Sequence, residues 1–138
     1  MRFIICKGLP ASGKSTYAKE QCALDKDLIR VNKDDLREMF KVEFSYNSER
    51  AVFATERAIA KTVLAAGKSI IVDDTNFRED HFNYWINLAK EFNIEPEVVF
   101  FDTPVDECIR RDKKREKSVG AVVIRGMYNQ YLKPKDVK

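Results

Sequence analysis

The sequence predicts an α/β fold with a mostly parallel central sheet of about four strands and helices on both faces, and two observations predict it. Short apolar segments alternate with longer segments of helical periodicity along all 138 residues, and strands separated by helices run parallel through right-handed crossovers. A glycine-rich loop stands between the first apolar segment and the first helical one. Such a sheet binds ligands there, at the carboxyl ends of its strands. No Pro/Gly/Ser-rich linker, low-complexity tract or internal repeat interrupts the pattern, so one domain over 1–138 is expected.

Residues 2–6 read as the first strand, and the glycine-rich loop leads to a helix over about 14–24. Leu28 to Val31 is a short second strand, followed by a helix over about 34–41 and a loop over 42–47. Val52, Ile59 and Val63 recur at helical spacing and Gly67 supplies a left-handed stop, which gives a helix over about 48–66. Ser69 to Val72 is an apolar strand ending in Asp73 and Asp74. Phe82, Trp85, Ala89 and Phe92 then make one helical stripe ending at Asn93. Pro96 opens a strand over 97–101, and helices over about 105–114 and 121–132 complete a βαβααβαβαα order.

Composition bounds the functions available. With 44% hydrophobic and 34% charged residues and a net charge of +3, the chain can bury a core and is not a disordered tail. A second catalytic domain does not fit in this length. Its longest apolar runs fall far short of the roughly 20 residues a membrane-spanning helix needs, and Met1 to Cys6 leads straight into the loop rather than to a signal-peptide cleavage site. A soluble, cytoplasmic protein is expected. Cys6, Cys22 and Cys108 are too few and too scattered for a disulfide framework or a zinc site and read as buried thiols. Residues 103–138 hold ten Lys/Arg against five Asp/Glu, with a basic run from Arg110 to Lys117 that is either a solvated helix face or a surface for a polyanion.

The loop carries the strongest signal. Gly8-Leu9-Pro10-Ala11-Ser12-Gly13-Lys14-Ser15 matches G-x-x-x-x-G-K-[ST] and has the required strand before it and helix after it. Its glycines let successive backbone N–H groups turn inward, and the helix adds its positive end to the same anion cradle. Lys14 is placed to reach the β- and γ-phosphates of a nucleoside triphosphate, expected to be ATP. The Ser15 hydroxyl can ligate the Mg2+ that bridges them.

The acceptor is set by later residues. Asn32-Lys33-Asp34-Asp35 has the letters of a guanine-reading motif, but it follows the second strand, and Asp74-Thr75-Asn76-Phe77 lacks the glycine a GTPase would need. Asp34 instead stands where the second strand passes into a helix, with Arg37 three residues on along the same face. A carboxylate there can accept the proton of an attacking hydroxyl while the guanidinium stabilises transferred charge or grips a substrate phosphate. Asp35 reads rather as a helix cap.

Gly8-x-Pro10-x-Ser12-Gly13-Lys14-Ser15-Thr16, followed by Val31-Asn32-Lys33-Asp34-Asp35-Leu36-Arg37, resembles the kinase domain of phage-type polynucleotide 5′-kinases. Val72-Asp73-Asp74-Thr75-Asn76-Phe77 is similar to that family's D-T-N signature, and Phe101-Asp102-Thr103-Pro104 to its next strand end. Arg111 and Arg115, with Ser118 to Ile124 and Met127-Tyr128, resemble its arginine-bearing lid and the helix beyond. The resemblance covers nearly the whole chain and implies a P-loop kinase fold.

By that resemblance Gly8, Pro10, Ala11, Ser12, Gly13, Lys14, Ser15 and Thr16 hold the donor, Asp34 is the general base for a 5′-hydroxyl, and Arg37 contacts the acceptor phosphate or the transition state. Arg115, assisted by Arg111, would clamp the ATP phosphates under a lid that excludes water. Asp74, with Thr75, would lie on the substrate side, near magnesium or paired with an arginine, while Asp73 makes structural hydrogen bonds. The implied substrates are 5′-hydroxyl ends of DNA or RNA, with no membrane and no obligatory protein partner. The family's 3′-phosphatase domain has no counterpart, and no phosphatase activity is expected.

Residues 41–57 match the family least. Phe44, Tyr46 and Phe53 are placed either to stack on a base or to join the core. His81 reads as a surface or capping residue and Trp85 as core. Two other functions use the same donor site: a kinase for a small hydroxyl compound such as a nucleoside, sugar or antibiotic, and a non-catalytic module whose lid engages a partner when ATP binds.

Overall fold

The computed structural model describes residues 1–134. Their order is β1 (Phe3–Gly8), α1 (Lys14–Leu24), β2 (Leu28–Val31), α2 (Lys33–Phe40), α3 (Tyr46–Ala65), β3 (Ser69–Asp73), α4 (Glu79–Glu91), β4 (Pro96–Phe101), α5 (Val105–Lys113) and α6 (Ala121–Met127), with a π-helical turn over Tyr128–Leu132. The last four residues of the basic 103–138 segment, 135–138, lie outside the described residues.

The four strands form one parallel sheet in the order β2-β3-β1-β4. Phe3 pairs with Ile70 and Ile5 with Val72, so side-chain alternation stacks these four on one face. There they meet Ala60 and Leu64 of α3 and Trp85, Leu88 and Ala89 of α4. Ile4, Cys6 and Ile71 point to the other face and pack with Ala18 of α1 and with Leu28. Each of the larger side chains contributes about 1.5–3 kcal/mol by leaving water. The α/β architecture with helices on both faces is therefore present.

Strand order fixes where a ligand goes. The chain leaves β1 for β2 in one direction and passes from β3 to β4 in the other, so the crevice beyond β1 and β3 is the switch point of the sheet. The glycine-rich loop and the Asp73–Phe77 segment both open there. A third apolar cluster, Leu9, Phe77, Cys108, Ile109 and Ile124, fixes α5 and α6 to the loop.

Three details differ from the sequence reading. The α3 face toward the core is Val52, Glu56, Ala60 and Leu64, while Ile59 is exposed; the i, i+4 row won over the apolar one because it lies over β3. That helix begins at Tyr46, where Ser45 and Ser48 close a reciprocal cap: Ser48 N–H donates to Ser45 Oγ (3.2 Å) and Ser45 N–H to Ser48 Oγ (2.9 Å). The last helix is α-helical only to Met127. Its π-helical turn ends with Lys133 N–H bonding the Tyr128 carbonyl (2.8 Å) and brings Tyr131 flat against Phe77, centroids 5.2 Å apart. Gly67 takes the expected positive φ of 81°. Among the described residues, no helix is long and apolar enough to cross a membrane.

Candidate active site

The loop after β1 is shaped by its glycines. A Cβ on Gly8 would stand 2.9 Å from Phe101 Cβ and 2.9 Å from Ser12 Oγ, so only glycine fits. Gly13, which begins α1, has φ 108°, and Ala11 has φ 63°; these left-handed turns curl the amides around a concavity. Thr103 Oγ1 ties the loop to the end of β4 by donating to the Ser12 carbonyl (2.9 Å). The Lys14 ammonium lies across the loop, donating to the carbonyls of Gly8 (3.0 Å) and Leu9 (2.6 Å). Burial lowers its pKa, so this end of the site rewards an anion. Ser15 and Thr16 are exposed in the first turn of α1, with their hydroxyls free for a nucleotide-bound cation. This donor set fits ATP with magnesium.

Across the crevice, α2 begins at the end of β2. Asn32 caps it, its Oδ1 accepting from Asp35 N–H (2.9 Å), and Asp35 Oδ2 accepts from Asn32 Nδ2 and from Arg30. The cap is thus Asn32, with Asp35 supporting it. Asp34 keeps its side chain 88% exposed, touching only Arg37 Nη1 at 2.6 Å. Arg37 is held from behind by a two-point bond to Glu49 of α3. These bonds, Glu49 first, raise its pKa further. Asp34 and Arg37, two of the residues read as catalytic from sequence, therefore come together at the first turns of α2.

Asp74 differs from its expected setting. Its Oδ1 accepts from Lys33 N–H (2.9 Å) and its Oδ2 from Lys33 Nζ (3.0 Å), so the cation paired with it is a lysine rather than an arginine. Lys33 Nζ also lies 3.3 Å from Oε1 of Glu56, which is fully buried on α3. Burial and the neighbouring Asp74 push the Glu56 carboxyl well above the usual carboxylate range. Burial pushes Asp74 up as well, but Lys33 more than offsets this and leaves it ionised. The Lys33 ammonium thus lies between two buried carboxyl groups and offsets their charge; removing one partner of such a set costs about 3–5 kcal/mol. Lys33 and Glu56 were not singled out from the sequence.

Asp73 meets its expectation through Arg30 Nε at 2.8 Å. Thr75 offers its carbonyl to Gly8 N–H (3.2 Å), and Asn76, at φ 53°, donates to the Cys6 carbonyl (2.7 Å). These bonds join the ends of β1 and β3.

The basic run forms a lid over α5 and the following loop. Arg111 Nη1 stands 3.8 Å from where a Cβ on Gly13 would be, beside the phosphate loop. Arg115 is held by Asp112, whose buried carboxylate accepts from Arg115 Nη2 (2.5 Å) and Nε (3.2 Å) and from the N–H groups of Val119 (3.0 Å) and Gly120 (2.9 Å). Lys117 reaches from the lid to Glu38 on α2.

Phe53 packs against Trp85 and Tyr84 in the core, whereas Phe44 and Tyr46 are exposed beside α2. His81 is not a surface or capping residue. It stacks on Phe53 at 3.8 Å, and burial, with Lys33 and Arg78 nearby, lowers its pKa to about 4. Its folded pKa lies below the ordinary 6.5 or so. The stability it supports is therefore complete above about pH 6.5 and is lost as pH falls toward 4. Imidazole NMR of this one histidine is expected to titrate near pH 4, and His81→Gln to flatten the stability slope between pH 6.5 and 4; a midpoint near 6.5 would refute the buried setting.

The chain is similar to several known proteins. An L-seryl-tRNA(Sec) kinase of Methanococcus maripaludis is 29% identical over 135 residues, covering 95% of this chain and 52% of that protein. A bifunctional polynucleotide phosphatase/kinase of Schizosaccharomyces pombe is 31% identical over 91 residues, covering 66% of this chain and 19% of that protein. In a structure of the Pnkp1/Rnl/Hen1 RNA repair complex, one chain matches with a TM-score of 0.82 and 26% identity, covering 94% of this chain and 43% of that one. The chain spans about half or less of the length of these relatives. Residues 3–133 match the AAA domain family AAA_33, so the chain belongs to that family and shares its fold with P-loop kinases.

Proposed function

We propose that this domain transfers the γ-phosphate of ATP to the 5′-hydroxyl end of DNA or RNA, as phage-type polynucleotide 5′-kinases do. The observation that carries the reading is the exposed Asp34 carboxylate, paired with Arg37 at the start of α2, across the sheet's switch point from the phosphate loop. The acceptor oxygen attacks the γ-phosphorus as its proton passes to Asp34, and the bond to the β-phosphate bridging oxygen breaks to release ADP. Lys14 leaves the two loop carbonyls for the phosphate oxygens, and Arg37 steadies the acceptor side. Arg111 and Arg115 close over the donor. The Ser15 hydroxyl would hold magnesium, which would supply charge neutralisation when bound. Asp74, with both oxygens on Lys33, supports the site through that lysine.

A second reading has its own support. The seryl-tRNA kinase relative aligns over 95% of this chain, which favours a hydroxyl on an aminoacylated RNA. Labelled ATP and magnesium, offered 5′-hydroxyl DNA and RNA oligonucleotides, seryl-tRNA, nucleosides and 3′-nucleoside monophosphates, separates these readings. Label on oligonucleotide ends is expected. Label on seryl-tRNA alone establishes the second reading, and label only on the small molecules overturns both.

A further inference from the structure

We propose that Glu56 is a positioning residue for phosphoryl transfer: together with Asp74 it clamps Lys33, and so fixes the first turn of α2 from which Asp34 and Arg37 reach the acceptor. This rests on the reading of Asp34 as the base. Three elements meet at Lys33. Its backbone N–H and its ammonium both bond Asp74 at the end of β3, its ammonium lies 3.3 Å from Glu56 of α3, and the Phe53 ring of α3 closes the cage 5.1 Å from Nζ. Asp34 is the next residue. The Asn32 cap fixes the helix hydrogen-bonding pattern, and the Lys33 clamp, beside the Arg30 bridge from Asp35 to Asp73, ties that turn to the strand that borders the phosphate loop.

Glu56 has no other occupation. Neither of its oxygens completes a well-aligned hydrogen bond, and the side chain is fully buried. An apolar side chain at its place on the Val52–Ala60–Leu64 row would pack against the core without the cost of burying a carboxyl. A carboxyl, unlike an apolar group, puts a polar partner 3.3 Å from the Lys33 ammonium, beside its bond to Asp74's backbone-anchored carboxylate. Glutamine keeps a polar partner of the same size and should serve as well; leucine or methionine should not.

The test measures transfer by Glu56→Gln, Glu56→Leu and Glu56→Met alongside Asp34→Asn and the double variant Asp34→Asn/Glu56→Leu, using the acceptor that labels best. ATP affinity and thermal unfolding are recorded for each. Expected are near-normal kinetics for Glu56→Gln, and about 10- to 100-fold lower kcat over acceptor KM for Glu56→Leu with ATP affinity within about 2-fold. Adding Glu56→Leu to Asp34→Asn should then cost nothing further. Should Glu56→Leu fail to fold, Glu56→Met carries the same comparison. Normal transfer by the folded apolar variants, or equal losses in Glu56→Gln, would overturn the proposal. Full activity in Asp34→Asn would instead overturn the reading of the base.

Discussion

Asp34→Asn is expected to slow phosphoryl transfer about 10²- to 10⁴-fold while leaving the protein folded and ATP bound as tightly as before. The side chain is 88% exposed and touches only Arg37, so its amide costs little stability. Arg37 keeps its two-point hold on Glu49, and its guanidinium stays in place. The donor cradle is built from other segments, Gly8–Ser15 and the end of β4. What the amide cannot do is take the hydroxyl proton as the acceptor attacks. The loss should therefore fall on kcat, and single-turnover transfer with equilibrium ATP binding checks both halves. Loss of ATP affinity would move Asp34 to the donor side; an unchanged rate would remove it from the chemistry and leave the domain a nucleotide-dependent binding module.

Contiguity explains what the sequence made legible. The phosphate loop is a constraint on eight consecutive residues, each imposed by local backbone shape or phosphate contact. Gly8 and Gly13 were readable because no other residue fits their conformations or space. Asp34 and Arg37 were readable because a helix start and a three-residue spacing are local too. The Lys33–Asp74–Glu56 cluster spans 41 residues between its first two members, and nothing near Glu56 marks it as buried. The one available signal was its place on the Val52–Ala60–Leu64 row, where an acid interrupts a small and apolar face. Asp112 was hidden in a similar way. Within a run dominated by Arg and Lys its charge looked like one more solvated residue, yet it is the acid around which the lid loop folds. His81 looked peripheral because the aromatic ring that covers it comes from α3, 28 positions earlier in the chain.

The lid carries the other large effect: Arg115→Ala is expected to lower kcat about 10³-fold, at the lower end of the effect of arginines that stabilise a transferring phosphoryl group. Asp112 takes Nε and one Nη2 hydrogen of Arg115, which leaves the remaining guanidinium hydrogens free for phosphate oxygens. The buried carboxylate cannot rotate away, because two backbone N–H groups of the lid also hold it. Arg115 is thus held in one orientation, so in the proposed role little ordering would be needed when ATP arrives. Arg115→Lys should recover little, since an ammonium cannot bond Asp112 at two points and still offer a fork to phosphate. Asp112→Asn should lie between wild type and Arg115→Ala: the lid amides lose a charged acceptor, and the arginine loses its aim but not its charge. Arg111 flanks Gly13 directly, so Arg111→Ala should weaken ATP binding more than it slows transfer. Steady-state kcat and KM for ATP across the four variants check this ordering. If Arg115→Ala raised KM alone, the residue would bind the donor's ground state, and the charge that stabilises the transition state would have to come from Lys14 and Arg111.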